Sequence, residues 1–237
     1  MIMAFILSFL AGISTMFGTF LIFFKDKRGV IVKNSLGLAA GVMLCVSFIS
    51  LIPESLVLLF KENKACTFIT VFFLIVMGIL LSYIIDKSLP DFKNKKDGSL
   101  YKVGIFSMFA IILHNIPEGI ATFLSSTQNI TLGITLTMAI ALHNIPEGIS
   151  ISVPIYKATE SRKKAILYTF ISGMSEPLGA FLAYLFLLPI INDTFMGILF
   201  SLIAGIMIHI SFLKLLPASL AYKNRGVTFL FFIIGII

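Results

Sequence analysis

The chain has 237 residues, of which 58% are hydrophobic and only 12% charged. Soluble domains carry about 25% charged residues, so this balance excludes an ordinary soluble enzyme or binding module and points to a membrane protein. The formal charge of +7 does not point to nucleic acid, because the basic residues alternate between loops instead of forming a patch.

Apolar stretches near the ~20 residues that a helix needs to cross a bilayer recur along the whole chain. The expected spans are 2–24, 34–60, 66–85, 103–126, 130–156, 164–188, 195–222 and 226–237. The fold class is therefore all-α, a polytopic membrane protein with eight transmembrane helices in one integral domain over 1–237. The last span is short for a crossing. The opening "MIMAFILSFL" lacks the basic n-region of a cleavable signal and is read as a retained helix.

Lys25, Lys27, Arg28 and Lys33 fall between spans 1 and 2. Lys87, Lys93, Lys95, Lys96 and Lys102 fall between spans 3 and 4, Lys157, Arg162, Lys163 and Lys164 between 5 and 6, and Lys223 and Arg225 between 7 and 8. The intervening loops hold only Lys61 and Lys64. Because basic residues collect on the cytoplasmic side, the N-terminus is expected outside a cell (inner) membrane. Tyr83, Tyr101, Tyr156 and Tyr222 then mark the cytoplasmic interface. "DKSLPDFKNKKDGSLYK" (86–102) reads as a cytoplasmic loop. Cys45 and Cys66 show no metal or disulfide spacing and are expected to be packing residues.

Two internal similarities stand out. "AIILHNIPEGI" (110–120) and "AIALHNIPEGI" (139–149) differ at one position, and "SFISLIPESL" (47–56) shares six of ten positions with "SFLKLLPASL" (211–220). Each pair lies on spans of opposite direction, as an inverted repeat produces. Such transporters bind substrate near the midplane on interrupted helices, and Pro53, Pro117, Pro146, Pro177 and Pro217 lie deep within spans.

Residues i and i+4 share a helical face, so His114 with Glu118 and His143 with Glu147 each present an imidazole and a carboxylate one turn apart. A tight turn near Thr127 to Asn129 places His114 and His143 at similar depth, and four ligand-type side chains converge. Pro117 and Pro146 release the carbonyls of Leu113 and Leu142, and Gly119 and Gly148 admit a neighbouring backbone. A charged carboxylate at a helix centre costs about 2.5–3.5 kcal/mol on insertion scales, and a divalent cation between two of them balances both. Imidazole and carboxylate suit zinc, iron or manganese, not Cu(I).

A bracing His–Glu pair, a proton relay, a channel and an intramembrane metal hydrolase are the competing readings. Hydrolysis on an HExxH pattern needs a Glu beside the first His, where this chain has Asn115 or Asn144. Glu176, before Pro177 on span 6, reads as a ligand or proton carrier. Glu54 is placed near an entrance, His209 is a lone imidazole, and Lys214 is expected to snorkel to the cytoplasmic side without a role.

"HNIPEG" on spans 4 and 5 and "EPLGA" on span 6 resemble the ZIP (Zrt/Irt-like) family of metal-ion transporters, most closely its bacterial ZupT-like branch. The resemblance covers essentially the whole chain. It implies uptake of divalent metal (zinc, with iron, manganese, cobalt and cadmium) into the cytoplasm, with no enzymatic activity and no cofactor beyond the metal carried as substrate. It implies inverted repeats of spans 1–3 and 6–8 around the span 4/5 pair. A first metal position on His114, Glu118, His143 and Glu147 and a second on Asn115, Glu118, Asn144, Glu147 and Glu176 follow from it. The expected partners are divalent ions and the lipid bilayer, with a homodimer left open.

Overall fold

The computed structural model describes residues 1–26, 29–60, 64–90, 92, 97–187, 192–222 and 225–237. Lys27, Arg28, Lys61, Lys93, Lys95, Lys96 and Lys223, which carry part of the topology argument, lie outside the described residues. Among the described residues the chain forms eight helical stretches and no strand. They are α1 (Ile2–Phe23), α2 (Val30–Leu58), α3 (Lys64–Ser88), α4 (Gly98–Gln128), α5 (Ile130–Thr159), α6 (Arg162–Phe186), α7 (Asp193–Leu220) and α8 (Arg225–Ile236).

By length and composition six of these, α1 to α4, α6 and α7, can each cross a membrane. The chain is therefore a multi-pass integral membrane protein. Helix α5 has the length, 30 residues, but its polar residues and two internal prolines dilute its apolar character. Helix α8 is apolar but only 12 residues long.

The ends of the helices follow ordinary capping chemistry. The Asp97 carboxylate accepts from Leu100 N–H to start α4, and the Asn129 side chain accepts from Thr131 and Leu132 N–H to start α5. The turn between α4 and α5 is thus as tight as the sequence implied. The polar loop expected over 86–102 is shorter at both ends, because α3 runs on to Ser88 and α4 begins at Gly98.

Within α2 and α7 the helix widens into a π turn, at Ser47–Leu51 and Ser211–Leu215, just ahead of Pro53 and Pro217. Ile52 N–H donates to Ser47 O and Leu216 N–H to Ser211 O, five residues back. Proline lacks the N–H that would continue the ladder, and the wider turn re-pairs the backbone around that gap.

Helices α4 and α5 pack side by side along the centre. Helix α1 lies against α5 and α4, and α6 against α4, while α2 pairs with α8 and α3 with α7. The face of α4 opposite the centre leaves Phe109 and Leu113 exposed, and α5 does the same with Met138 and Leu142, as lipid-facing helices do.

Lys214 has a partner that the sequence did not show. Its Nζ lies 2.5 Å from Asp86 Oδ2, two residues before the end of α3 on the expected cytoplasmic side, so it turns toward that side as one half of an ion pair between helices. His209 is a hydrogen-bonded core imidazole: its Nδ1 lies 2.9 Å from Ser82 Oγ. Tyr101 is buried, with its hydroxyl 3.2 Å from that of Tyr168. Cys66 is exposed and not packed.

Removing one member of a buried ion pair strands the other, at a cost of a few kcal/mol. Asp86→Ala should therefore lower the thermal midpoint of the detergent-solubilised protein, by the equivalent of about 1–3 kcal/mol. Asp86→Ala combined with Lys214→Met should recover most of the loss. A midpoint for Asp86→Ala equal to that of wild type would show that the pair contributes nothing.

Candidate metal site

Both HNIPEG copies are continuous helix; α4 runs through Pro117 and α5 through Pro146. Their i, i+4 spacing puts each imidazole on the same helical face as its own carboxylate, and the tight turn at Asn129 sets the two copies face to face. His114 Nε2 lies 3.0 Å from Glu118 Oε1 and 3.2 Å from Glu147 Oε1. His143 Nε2 lies 3.0 Å from Glu118 Oε1. The two imidazole centroids are 6.2 Å apart. His114, His143 and Glu147 each offer a ligand atom within 4.8 Å of the others.

These side chains are close without being well paired. Of the three short contacts, only that between His143 and Glu118 has hydrogen-bond geometry. Both ring nitrogens of His114, Glu118 Oε2 and Glu147 Oε1 are buried with no hydrogen-bond partner. Lone pairs aimed at a common point rather than at each other's hydrogens are what a cation site presents. His114 and Glu147 are almost wholly buried, at 1% exposure each, while the His143 side chain is 16% exposed.

Glu176 joins the cluster through α6. This helix is interrupted at Met174 and resumes at Ser175, so Glu176 opens the second segment ahead of Pro177. It is fully buried. Its Oε1 accepts from Asn144 Nδ2 at 3.0 Å, and the same amide nitrogen donates to Ala11 O on α1 at 2.9 Å. Glu176 Oε2 and Asn144 Oδ1 are left without partners. With its amide turned to satisfy both ends, Asn115 Nδ2 donates to Glu147 Oε2 at 3.3 Å and to Ile111 O at 3.1 Å. All seven residues expected at the site are brought together. Glu54 is exposed on α2 and His209 is bonded to Ser82, away from it.

What the sequence reading missed is the contribution of α1, whose Ala11 carbonyl holds Asn144. Gly12 was the available signal. A Cβ there would meet Gly173 O at 2.3 Å, so α1 and α6 touch backbone to backbone beside the site. Gly119 and Gly148 act alike: a Cβ on Gly119 would lie 1.9 Å from Glu176 O, and one on Gly148 1.9 Å from Thr15 O. The glycine that follows each site glutamate is what allows α6 and α1 to close on the α4/α5 pair.

Gly119→Ala must therefore push α6 away from α4, which carries Glu176 away from Glu118. Overpacking of this kind costs about 1–3 kcal/mol. The variant should show a lower thermal midpoint and bind zinc at least about tenfold more weakly, measured by calorimetry. Unchanged zinc affinity would mean that the α4–α6 contact does not set the site.

The comparisons with known proteins bear on the same residues. A family model described as ZIP zinc transporter matches residues 93–237, more than half the chain and all of α4 to α8. A zinc transporter ZupT of Streptococcus mutans is 44% identical, over 94% of this chain and 89% of its own length. A protein of the same name from Clostridium perfringens is 42% identical over 100% of this chain and 93% of its own, and one from Campylobacter jejuni is 40% identical over 93% and 88%. Identity at this level across nearly full length is carried by one common fold, and the chain belongs to the ZIP family, in its bacterial ZupT-like branch.

Proposed function

We propose that this protein carries divalent metal ions, zinc foremost, across the cell (inner) membrane into the cytoplasm through the site between α4 and α5. The observation that carries this reading is the convergence of His114, His143, Glu118 and Glu147, with both His114 ring nitrogens, Glu118 Oε2 and Glu147 Oε1 left without a hydrogen-bond partner. The ZIP family model and the zinc transporter ZupT relatives support the same cargo. Iron, manganese, cobalt and cadmium fall within the reach of a nitrogen and oxygen donor set.

All eight helices cross the membrane in this reading, in one domain over 1–237, with the N-terminus outside and the loop between α3 and α4 in the cytoplasm. Helices α1–α3 and α6–α8 form inverted repeats around α4 and α5. Support comes from matching π turns ahead of Pro53 and Pro217. Further support comes from matching contacts: Gly41 meets Gly235 where α2 crosses α8, and Gly78 meets Gly205 where α3 crosses α7. Alternating access moves one group of helices against the other.

Two metals share the site. The first sits on His114, Glu118, His143 and Glu147. The second uses Glu176 and the Asn144 carbonyl oxygen, with Glu118 and Glu147 bridging and the Asn115 amide turning its oxygen inward. Support for the second position lies in the partnerless Glu176 Oε2 and Asn144 Oδ1. Hydrolysis is disfavoured, since Asn144 and Asn115 are bonded within the site and neither can serve as a general base.

Glu176→Gln removes the one carboxylate that belongs to the second position alone. In proteoliposomes and by elemental analysis it should lose one zinc per chain and keep the other, whereas Glu118→Ala should lose nearly all bound zinc and uptake. Wild-type uptake no faster than empty vesicles for every divalent ion would overturn the transport reading. Unchanged stoichiometry in Glu176→Gln would overturn the second metal alone.

A further inference from the structure

Buried serine and threonine hydroxyls on helices ordinarily donate to the carbonyl one turn back. Ser8, Ser47, Ser126, Thr137, Thr169 and Ser201 all do so here, at 2.6–3.1 Å. Ser107 and Thr122 on α4 do not, and neither do Thr15, Ser172, Ser211 and Thr228 on the outer helices. Ser107 and Thr122 are wholly buried, and neither hydroxyl has a hydrogen-bond partner among the described residues. A buried hydroxyl left unsatisfied costs roughly 1–3 kcal/mol, so each calls for an explanation.

Their positions supply one. At ~100° per residue, Ser107, Ile111, His114, Glu118 and Thr122 fall on one stripe of α4, within about 40° of Glu118 on either side. All of them are at most 6% exposed. Thr122 lies one turn beyond Glu118, about 6 Å along the axis. Ser107 lies two turns before His114, about 10 Å the other way. With His114 and His143 at one depth, the α5 residues level with Thr122 and Ser107 are Thr135 and Ser150, whose hydroxyls are already spent on Thr131 O and Glu147 O. Ser152 nearby is likewise committed, to Gly18 O. Between these two helices, then, the free oxygens above and below the site come from α4.

We propose that Thr122 and Ser107 are stations on the metal's path, Thr122 on the outer side of the site and Ser107 on the cytoplasmic side. Each hydroxyl meets the partly dehydrated divalent cation, directly or through one of its waters, as it enters or leaves the carboxylate–imidazole cluster. A cation stripped of water in an apolar passage needs an oxygen at each step, and a hydroxyl supplies one without adding charge that would trap the ion. The cost of the unpaired hydroxyl is then offset only during transport. Oxygen-preferring Mn²⁺ depends on these stations more than Zn²⁺, for which imidazole is an apt ligand.

This inference rests on the transport reading above, and the test separates the two. Thr122→Val, Ser107→Ala and the conservative Thr122→Ser are compared with wild type in proteoliposomes, with bound zinc per chain measured in parallel. Thr122→Val and Ser107→Ala should bind as much zinc as wild type while their KM for Mn²⁺ uptake rises about fivefold, the equivalent of one polar contact. Their KM for Zn²⁺ should rise less than about twofold, and Thr122→Ser should stay near wild type. If wild type imports and both variants keep wild-type KM for Mn²⁺, or both ions shift equally, the stations are not on the path. Loss of bound zinc in both variants would likewise overturn the inference by making the hydroxyls part of the site's scaffold. If wild type imports neither ion, the transport reading falls and this one with it.

Discussion

Three carboxylates held inside a membrane-spanning bundle set the terms for everything around them. Glu118, Glu147 and Glu176 are each at most 6% exposed, in a region where an unbalanced charge costs several kcal/mol. They meet imidazoles and amides, which orient them. Nearly every unusual feature of the fold serves to gather these groups. The repeated motif supplies two of them, the tight turn at Asn129 aligns the copies, and the break at Met174 brings in the third.

Close backbone contact is the second requirement. Glu176 can reach Asn144 only because α6 lies against Gly119 and α1 lies against Gly148. In lipid there is little hydrophobic drive to hold apolar helices together, and small residues at crossings let dispersion and backbone contact act instead. The glycine after each glutamate thus does in packing what the histidine before it does in chemistry. The two halves of the motif cannot be separated: an HNIPE sequence without its glycine would keep the ligands on α4 and α5 but hold α6 and α1 at a distance.

The sequence revealed the parts of this arrangement that depend on spacing along one helix. The i, i+4 pairs, their common depth and the candidacy of Glu176 follow from periodicity and from the cost of burying charge. Contacts between helices far apart in sequence were not legible. Gly12 hints that span 1 makes a close approach, but no letter marks the Ala11 carbonyl as the anchor of Asn144, because any residue has a carbonyl and only its location makes it a partner. The partner of Lys214 was hidden for the same reason. A lysine eight residues from a helix end can snorkel, and only the position of α3 brings Asp86 to it. The eighth helix and α5 were expected as spans from mean apolarity and length, yet α8 is short and α5 is diluted by the polar residues of its HNIPEG motif. Buried polar residues weaken the signature of a helix as a membrane span.

The same bundle handles buried charge in two ways, and the contrast explains the choice of histidine. Asp86 is balanced by Lys214, a cation tethered to the chain and always present. A lysine in the place of His114 would balance Glu118 and Glu147 equally well. It would also occupy the point at which their oxygens converge, and a divalent ion could enter only by displacing a covalently attached rival. Imidazole can instead give up its proton to an incoming ion and present a lone pair to it. The cluster therefore leaves its point of convergence open to an exchangeable cation, the condition that lets a passing ion be both held and released.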